Sequence, residues 1–328
     1  MASTGREGLN AHHVFRRLIL SLAAFLAFAA PAAAQERRVA VTFDDLPFQA
    51  TQADQLCDPA KAMAFTRAFL NMLEPLDSHA TGFVNEGQVC EETRQTLLPD
   101  ILDAWLDAGI GLGNHTFSHL DINTVTAEAW LDDVDQGAIY TRQALERQGL
   151  DLVWLRHPYL HAGDTAEKKA AAEAGLAHRG YIIAPVTLDN SDWLFAGAYR
   201  KAEAAGDNER MRRIGEAYVA YMNQALDFWE PYSADVAGGA EPAQILLLHA
   251  HSLNRDWYPQ IHALFLRRGY RFVTLEAAMA DPLYRRADPY VGPNGMSWLH
   301  RWRRGDRPAD VRWEPEPPEW ISEDTAAP

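Results

Sequence analysis

The 328-residue chain is short of cysteine, of positive charge and of long apolar runs, and each shortage removes a class of function. Cys57 and Cys90 are its only cysteines, so no zinc-type thiolate cluster exists. In an oxidising compartment the pair allows a single Cys57–Cys90 disulfide; otherwise the two are unrelated thiols. The formal net charge is −15. Such an acidic chain argues against nucleic acid or an anionic membrane as partner, and says little about a neutral sugar or peptide. The one long apolar run, Leu18 to Ala30, follows Arg16-Arg17 and precedes Pro31-Ala-Ala-Ala34. It is too short for a membrane span and reads as a secretory signal peptide, residues 1–34, cut after Ala34. Removing it takes away Arg6, Arg16, Arg17 and Glu7 and leaves −17. The mature protein is then expected to have no membrane span and to be exported, periplasmic or secreted. No internal repeat is present.

What the chain does have is an alternation of apolar runs with helix-patterned stretches. Strands are expected over Arg38–Asp44, Ala80–Asn85, Leu152–Leu155, Tyr181–Leu188, Ile245–Leu248 and Arg271–Leu275. Helices are expected over Pro59–Leu76, Glu92–Ala108, Thr126–Gln148, Thr165–Ala174 (ending at Gly175) and Trp257–Arg268. Such alternation implies an α/β fold around a mainly parallel sheet, open or closed into a barrel. The polar helical stretch 198–243, broken near Gly206-Asp207-Asn208, reads as an insertion within a domain of residues 35–286. The tail 287–328 reads as partly disordered, from Glu314 onward.

Polar residues follow the apolar runs directly. Asp44-Asp45, His115, Arg156, Asp189 to Asp192 and His249 all stand at such ends, where α/β folds gather reactive side chains. Two adjacent carboxylates need positive charge nearby, and a metal ion supplies it. His115 and His119, four apart, are expected on one face of a helical turn and with Asp45 form a two-histidine, one-carboxylate ligand set. The same set serves non-haem iron oxygenases, so it does not name the reaction. Thr116 and Ser118 are candidates to orient the ligands. Asp44 is the natural general base, and Arg156 can hold it ionised. His249 suits a general acid, with His251 a competitor on the same side of the strand. Asp192 is a candidate orienter for that histidine, and Trp193 an aromatic surface for a sugar ring. His161 merits attention only for lying near Arg156.

These residues resemble the motifs of the polysaccharide deacetylases, the NodB-homology or carbohydrate esterase family 4 group. Thr42-Phe-Asp-Asp45 looks like the first motif, His115-Thr-Phe-Ser-His119 the second, Arg156-His-Pro-Tyr159 the third, Asp189-Asn-Ser-Asp-Trp193 the fourth and Leu247-Leu-His249 the fifth. The resemblance implies a distorted (β/α) barrel of about seven parallel strands. It also implies metal-dependent removal of acetyl groups from an N-acetylated polysaccharide or peptidoglycan, with one zinc (or cobalt) ion. Asp45, His115 and His119 would bind the metal, Asp44 act as base, His249 as acid, and Arg156 and Asp192 as supports. Tyr159 would lend its backbone N–H to the oxyanion and, with Trp193, touch substrate. Three departures stand out: Leu46 where a glycine commonly follows the aspartates, Ala250 in place of a frequent acidic residue, and the length of 198–243. A non-catalytic, metal-retaining glycan-binding protein of the same fold is the alternative.

Overall fold

A computed structural model describes residues 36–52 and 54–326; the signal-peptide reading lies outside them. Seven strands form one parallel sheet: β1 (Arg37–Leu46), β2 (Thr81–Val84), β3 (Gly111–Asn114), β4 (Trp154–Leu155), β5 (Ile182–Ile183), β6 (Gln244–His249) and β7 (Tyr270–Phe272). Their order is β5-β4-β3-β2-β1-β6. β1 is central: β6 pairs along one edge from Val39 to Asp44, while β7 and β2 share the other. Residues Val39 to Leu46 are all buried, as the continuous apolar run demands of a strand covered on both faces. The segment after β5 reaches the far edge of β6. There Thr187 and Leu188 donate to the Ile245 carbonyl, and Leu188 pairs with Leu246. The sheet therefore curls into a distorted barrel, with helices packed around it.

Several boundaries differ from the sequence pattern, each for a packing reason. The expected helix Thr126–Gln148 is two helices, Ala127–Gln136 and Ile139–Arg147. A Cβ at the intervening Gly137 would meet the Thr116 carbonyl carbon at 2.4 Å, so the break seats the His115–His119 loop. The helix Ala166–His178 runs through Gly175 because that glycine makes room for the Leu131 side chain; the stop comes at Gly180, with φ +80°. The helix Ser252–Arg267 starts before Trp257, capped by His251, whose Nδ1 accepts from Asn254 N–H at 3.1 Å. The break near Gly206 separates the helices Asp192–Ala205 and Asn208–Val236. In place of the disorder expected from Glu314, the helix Glu319–Ala326 packs on Asp192–Ala205. It buries Ile321 completely, and Thr325 Oγ1 donates to the Leu194 carbonyl at 2.9 Å.

Cys57 and Cys90 are joined, with Cα atoms 5.0 Å apart, tying the loop after β1 to the start of the helix Glu91–Asp107. On the chain-entropy account, a cross-link spanning 33 residues of separation stabilises by about 4 kcal/mol. The Cys57→Ser protein is therefore expected to unfold at a lower denaturant concentration with a somewhat steeper slope, because its unfolded chain opens further, measured by circular dichroism. No helix among the described residues is long and apolar enough to cross a membrane.

Candidate active site

A cleft of about 530 Å³ opens beyond the carboxyl ends of the strands. Asp44, Asp45, His115, His119, Tyr159, Asp189, Trp193 and His249 all line it. Adjacent residues of a strand normally face opposite sides. Asp45 has φ +61°, and this left-handed turn at the end of β1 lets both carboxylates face the cleft. Leu46, where the family commonly has glycine, turns into the core instead: it is fully buried against Gly82, at which a Cβ would lie 2.3 Å from Leu46 Cδ2.

The His115–His119 segment follows β3 as an irregular loop rather than the expected helical turn, with φ +65° at Thr116 and +56° at His119. The two rings still meet, with centroids 4.9 Å apart. His115 Nδ1 lies 2.8 Å from the Arg156 carbonyl oxygen, which makes it the protonated nitrogen and points Nε2 at Asp45 Oδ1, 3.6 Å away. His119 Nε2 lies 3.5 Å from the same oxygen. Thr116 and Ser118 shape the loop rather than touch the rings: Thr116 Oγ1 accepts from Leu120 N–H, and Ser118 binds Asp133. Burial holds both histidines below their usual pKa, hence neutral at pH 7. Burial alone would raise Asp45, but the charged His249 ring and the hydrogen bond from Gln49 pull the other way and help hold its carboxyl below the usual value.

Asp45, His115 and His119 can each offer one atom within 4.8 Å of the others. Asp45 Oδ1 is buried without a hydrogen-bond partner, whereas Oδ2 accepts from Gln49 Nε2 at 2.6 Å. A buried carboxylate oxygen left open between two neutral imidazoles fits a divalent ion, and the donor set suits zinc with positions to spare.

Asp44 sits behind this group. Arg156, fully buried at the end of β4, donates from Nη1 to Asp44 Oδ1 and Oδ2 at 3.2 and 3.1 Å. Its Nη2 reaches Thr42 Oγ1 at 3.1 Å, its Nε the Ala184 carbonyl at 2.8 Å, and it stacks over Phe83. Burial pushes the Asp44 carboxyl up to about 6 against the pull of Arg156. On the other side, His249 Nδ1 lies 2.8 Å from Asp192 Oδ1, which leaves Nε2 for the cleft. Burial disfavours a charged ring there, yet the Asp192 carboxylate overrides it and the pKa rises to about 10. His251 also reaches Asp192, at 3.2 Å, but it is wholly buried as the helix cap and does not line the cleft.

Tyr159 and Trp193 both line the cleft and are more than half exposed. Tyr159 has φ +56° and packs against the His119 ring at 4.4 Å. His157 stacks on Trp130 and is held down to about 3 by burial, so it stays neutral. The sequence pattern did not reveal Gln49, Leu160 or Gly295 as cleft residues. Gly295 comes from the tail, which straps the Tyr159 loop: Arg301 donates to the Leu160 carbonyl and pairs with Asp288 at 2.6 Å. His161, flagged by proximity alone, does line the cleft, and its Nδ1 lies 2.8 Å from Asp121 Oδ1.

The family model for polysaccharide deacetylase matches residues 32–178. A chitin deacetylase of Colletotrichum lindemuthianum is 28% identical over 155 residues, which is 47% of this chain and 52% of that protein. This chain thus spans about half the length of the curated relative it matches. Among solved structures, a chitin deacetylase from that fungus superposes with a TM-score of 0.52 at 23% identity, over 75% of this chain and 89% of the other. A polysaccharide deacetylase from Bacillus cereus gives 0.49 at 18% identity, over 73% and 92%. Residues 32–178, which hold the first three motifs, are thus similar to the polysaccharide deacetylases, and the chain shares the curled parallel barrel of the fungal chitin deacetylase.

Proposed function

We propose that this protein is an exported, zinc-dependent hydrolase that removes acetyl groups from an N-acetylated glycan. The observation that carries the reading is the convergence in one cleft of an open-oxygen Asp45 between two neutral histidines, a base candidate clamped by Arg156, and a histidine held protonated by Asp192. Export is supported by the N-terminal signal pattern and by the Cys57–Cys90 bridge.

Asp45, His115 and His119 would hold a divalent ion, which would supply Lewis acidity and make water a better nucleophile. Asp44 takes the proton of the attacking water, and Arg156 keeps that carboxylate ionised and aimed. The Tyr159 backbone N–H donates to the oxyanion, a role that rests on the third motif and on the left-handed turn beside His119. His249 gives its Nε2 proton to the nitrogen as the carbon–nitrogen bond breaks, so amide and water become amine and acetate. Tyr159 and Trp193 offer two exposed aromatic faces to the sugar rings. A glycan-binding protein without chemistry has no use for a buried base–arginine pair and a buried acid–carboxylate pair.

The test is acetate release by the purified protein from N-acetylated and O-acetylated glycans. Release from N-acetylated chains supports the reading. Tight glycan binding without acetate from any of them would turn it to the non-catalytic alternative.

A further inference from the structure

We propose that Arg200, acting through Gln49, is a positioning residue for the metal-binding carboxylate of Asp45; this rests on the metal-centre reading above. Arg200 lies on the helix Asp192–Ala205 and donates from Nη1 to Gln49 Oε1 at 3.0 Å. Gln49 Nε2 in turn donates to Asp45 Oδ2 at 2.6 Å. A guanidinium only donates and a carboxylate only accepts. The amide between them therefore has one workable orientation, with its oxygen toward Arg200 and its nitrogen toward Asp45. Without Arg200 the amide oxygen loses its partner in this chain of bonds, and Gln49 is less firmly held against Oδ2.

The consequence falls on the other oxygen of Asp45. With Oδ2 occupied, Oδ1 alone remains open toward His115 Nε2 and His119 Nε2, at 3.6 and 3.5 Å. The relay fixes which carboxylate oxygen faces the ion and at what angle. Partners of this kind behind a ligand raise metal affinity about 10- to 100-fold.

The rest of the local structure supports the relay. Gln49 is held through its own backbone N–H, which donates to the Ala250 carbonyl at 2.7 Å, directly after His249. The loop carrying it has a second tie to the same helix, Thr51 Oγ1 donating to Glu203 Oε2 at 2.7 Å. That helix begins with Asp192, whose carboxylate holds His249. One helix thus sets both halves of the site: the acid at its start, the metal ligand two turns further on. No cleft-lining residue comes from 198–243, so the contribution of that stretch is made from behind.

The experiment measures zinc dissociation constants on metal-free full-length protein, by competition with a chromophoric chelator. The parent is compared with Arg200→Met, Gln49→Met, the double variant and Arg200→Lys. Each single methionine variant is expected to weaken zinc binding about 10- to 100-fold. The double variant should be no weaker than Gln49→Met, because the two act in series. Arg200→Lys, which keeps a donor and a charge, should recover most of the affinity. Melting temperatures of the metal-free proteins should match. Unchanged zinc affinity in Arg200→Met, additive losses in the double variant, or losses that follow a lowered metal-free melting temperature would each overturn the proposal. Acetate release is scored separately. A parent that binds zinc with this pattern but releases no acetate keeps the relay and loses the hydrolase reading. A parent that binds no zinc loses the metal centre and the relay with it.

Discussion

Replacing Asp44 by asparagine is expected to lower acetate release about 10³- to 10⁴-fold, the upper range for losing a positioned general base, while zinc content and zinc affinity stay near those of the parent. The separation of effects follows from the geometry. Asp45 Oδ1, not Asp44, lies between His115 and His119, and the three-residue ligand group does not include Asp44. Asparagine keeps an oxygen to accept from Arg156 but has no basic site for a proton. Arg156 then faces a neutral partner while fully buried, so some stability is lost as well, and the melting temperature must be checked beside the rate. The parent should lose activity as pH falls, because only the ionised carboxylate is a base. Burial raises the Asp44 carboxyl to about 6, and a bound ion would lower it, so the acid limb should lie at or below about pH 6. Near-parent activity in the Asp44→Asn protein, or loss of its zinc, would contradict the division of labour between the two aspartates.

The Asp192→Asn protein should lose about 10²-fold or more in kcat with little change in KM, and its alkaline limb should move down in pH. Asp192 accepts four contacts at once: His249 Nδ1 on Oδ1, and His249 N–H, Asn254 Nδ2 and His251 Nε2 on Oδ2. An amide cannot satisfy this all-acceptor role. With its oxygen toward the His249 ring, its NH₂ meets the three donors on the other side; reversed, it donates to Nδ1 and imposes the wrong tautomer. The sign of the pH effect is fixed by charge. In the parent the carboxylate keeps the ring protonated up to about 10, so the acid survives until pH rises through that value. Without the counter-charge, burial dominates and favours the neutral ring, so the acid is lost at a much lower pH. A pH–rate profile of kcat reads the difference. An unmoved alkaline limb would mean that Asp192 merely caps the strand end.

The parts of this site that were legible in the sequence share a physical origin. A parallel strand buried on both faces is written as an unbroken apolar run, as at Val39–Phe43 and Ile245–Leu248, and a charge directly after it marks the strand end. Asp44, Asp45, His115 and His249 were visible for that reason. The strands Trp154–Leu155 and Ile182–Ile183 are shorter than the runs Leu152–Leu155 and Tyr181–Leu188 that announced them; Arg156 was still visible at the end of the first, whereas Tyr159 was placed by its motif alone. Spacing misread the local geometry of His115–His119, because left-handed turns at Thr116 and His119 bring the rings together without a helix. Gly175 looked like a helix stop and is a packing site, a distinction made by Leu131, 44 residues away in sequence. Arg200, Gln49 and Gly295 were illegible because their meaning lies in contacts between distant segments. Arg200 and Gln49 stand 151 residues apart, and nothing local marks either one.

The central claim is that one divalent ion, held by Asp45, His115 and His119, makes this cleft a deacetylase. It is tested most directly by stripping the protein with a chelator, titrating zinc back and following acetate release from an N-acetylated glycan in the same samples. The stripped protein should release none, and release should recover fully as zinc reaches one ion per chain. The His119→Ala protein, run in parallel, should fail to recover at that stoichiometry. Release that survives chelation, or that recovers equally well without His119, would contradict it.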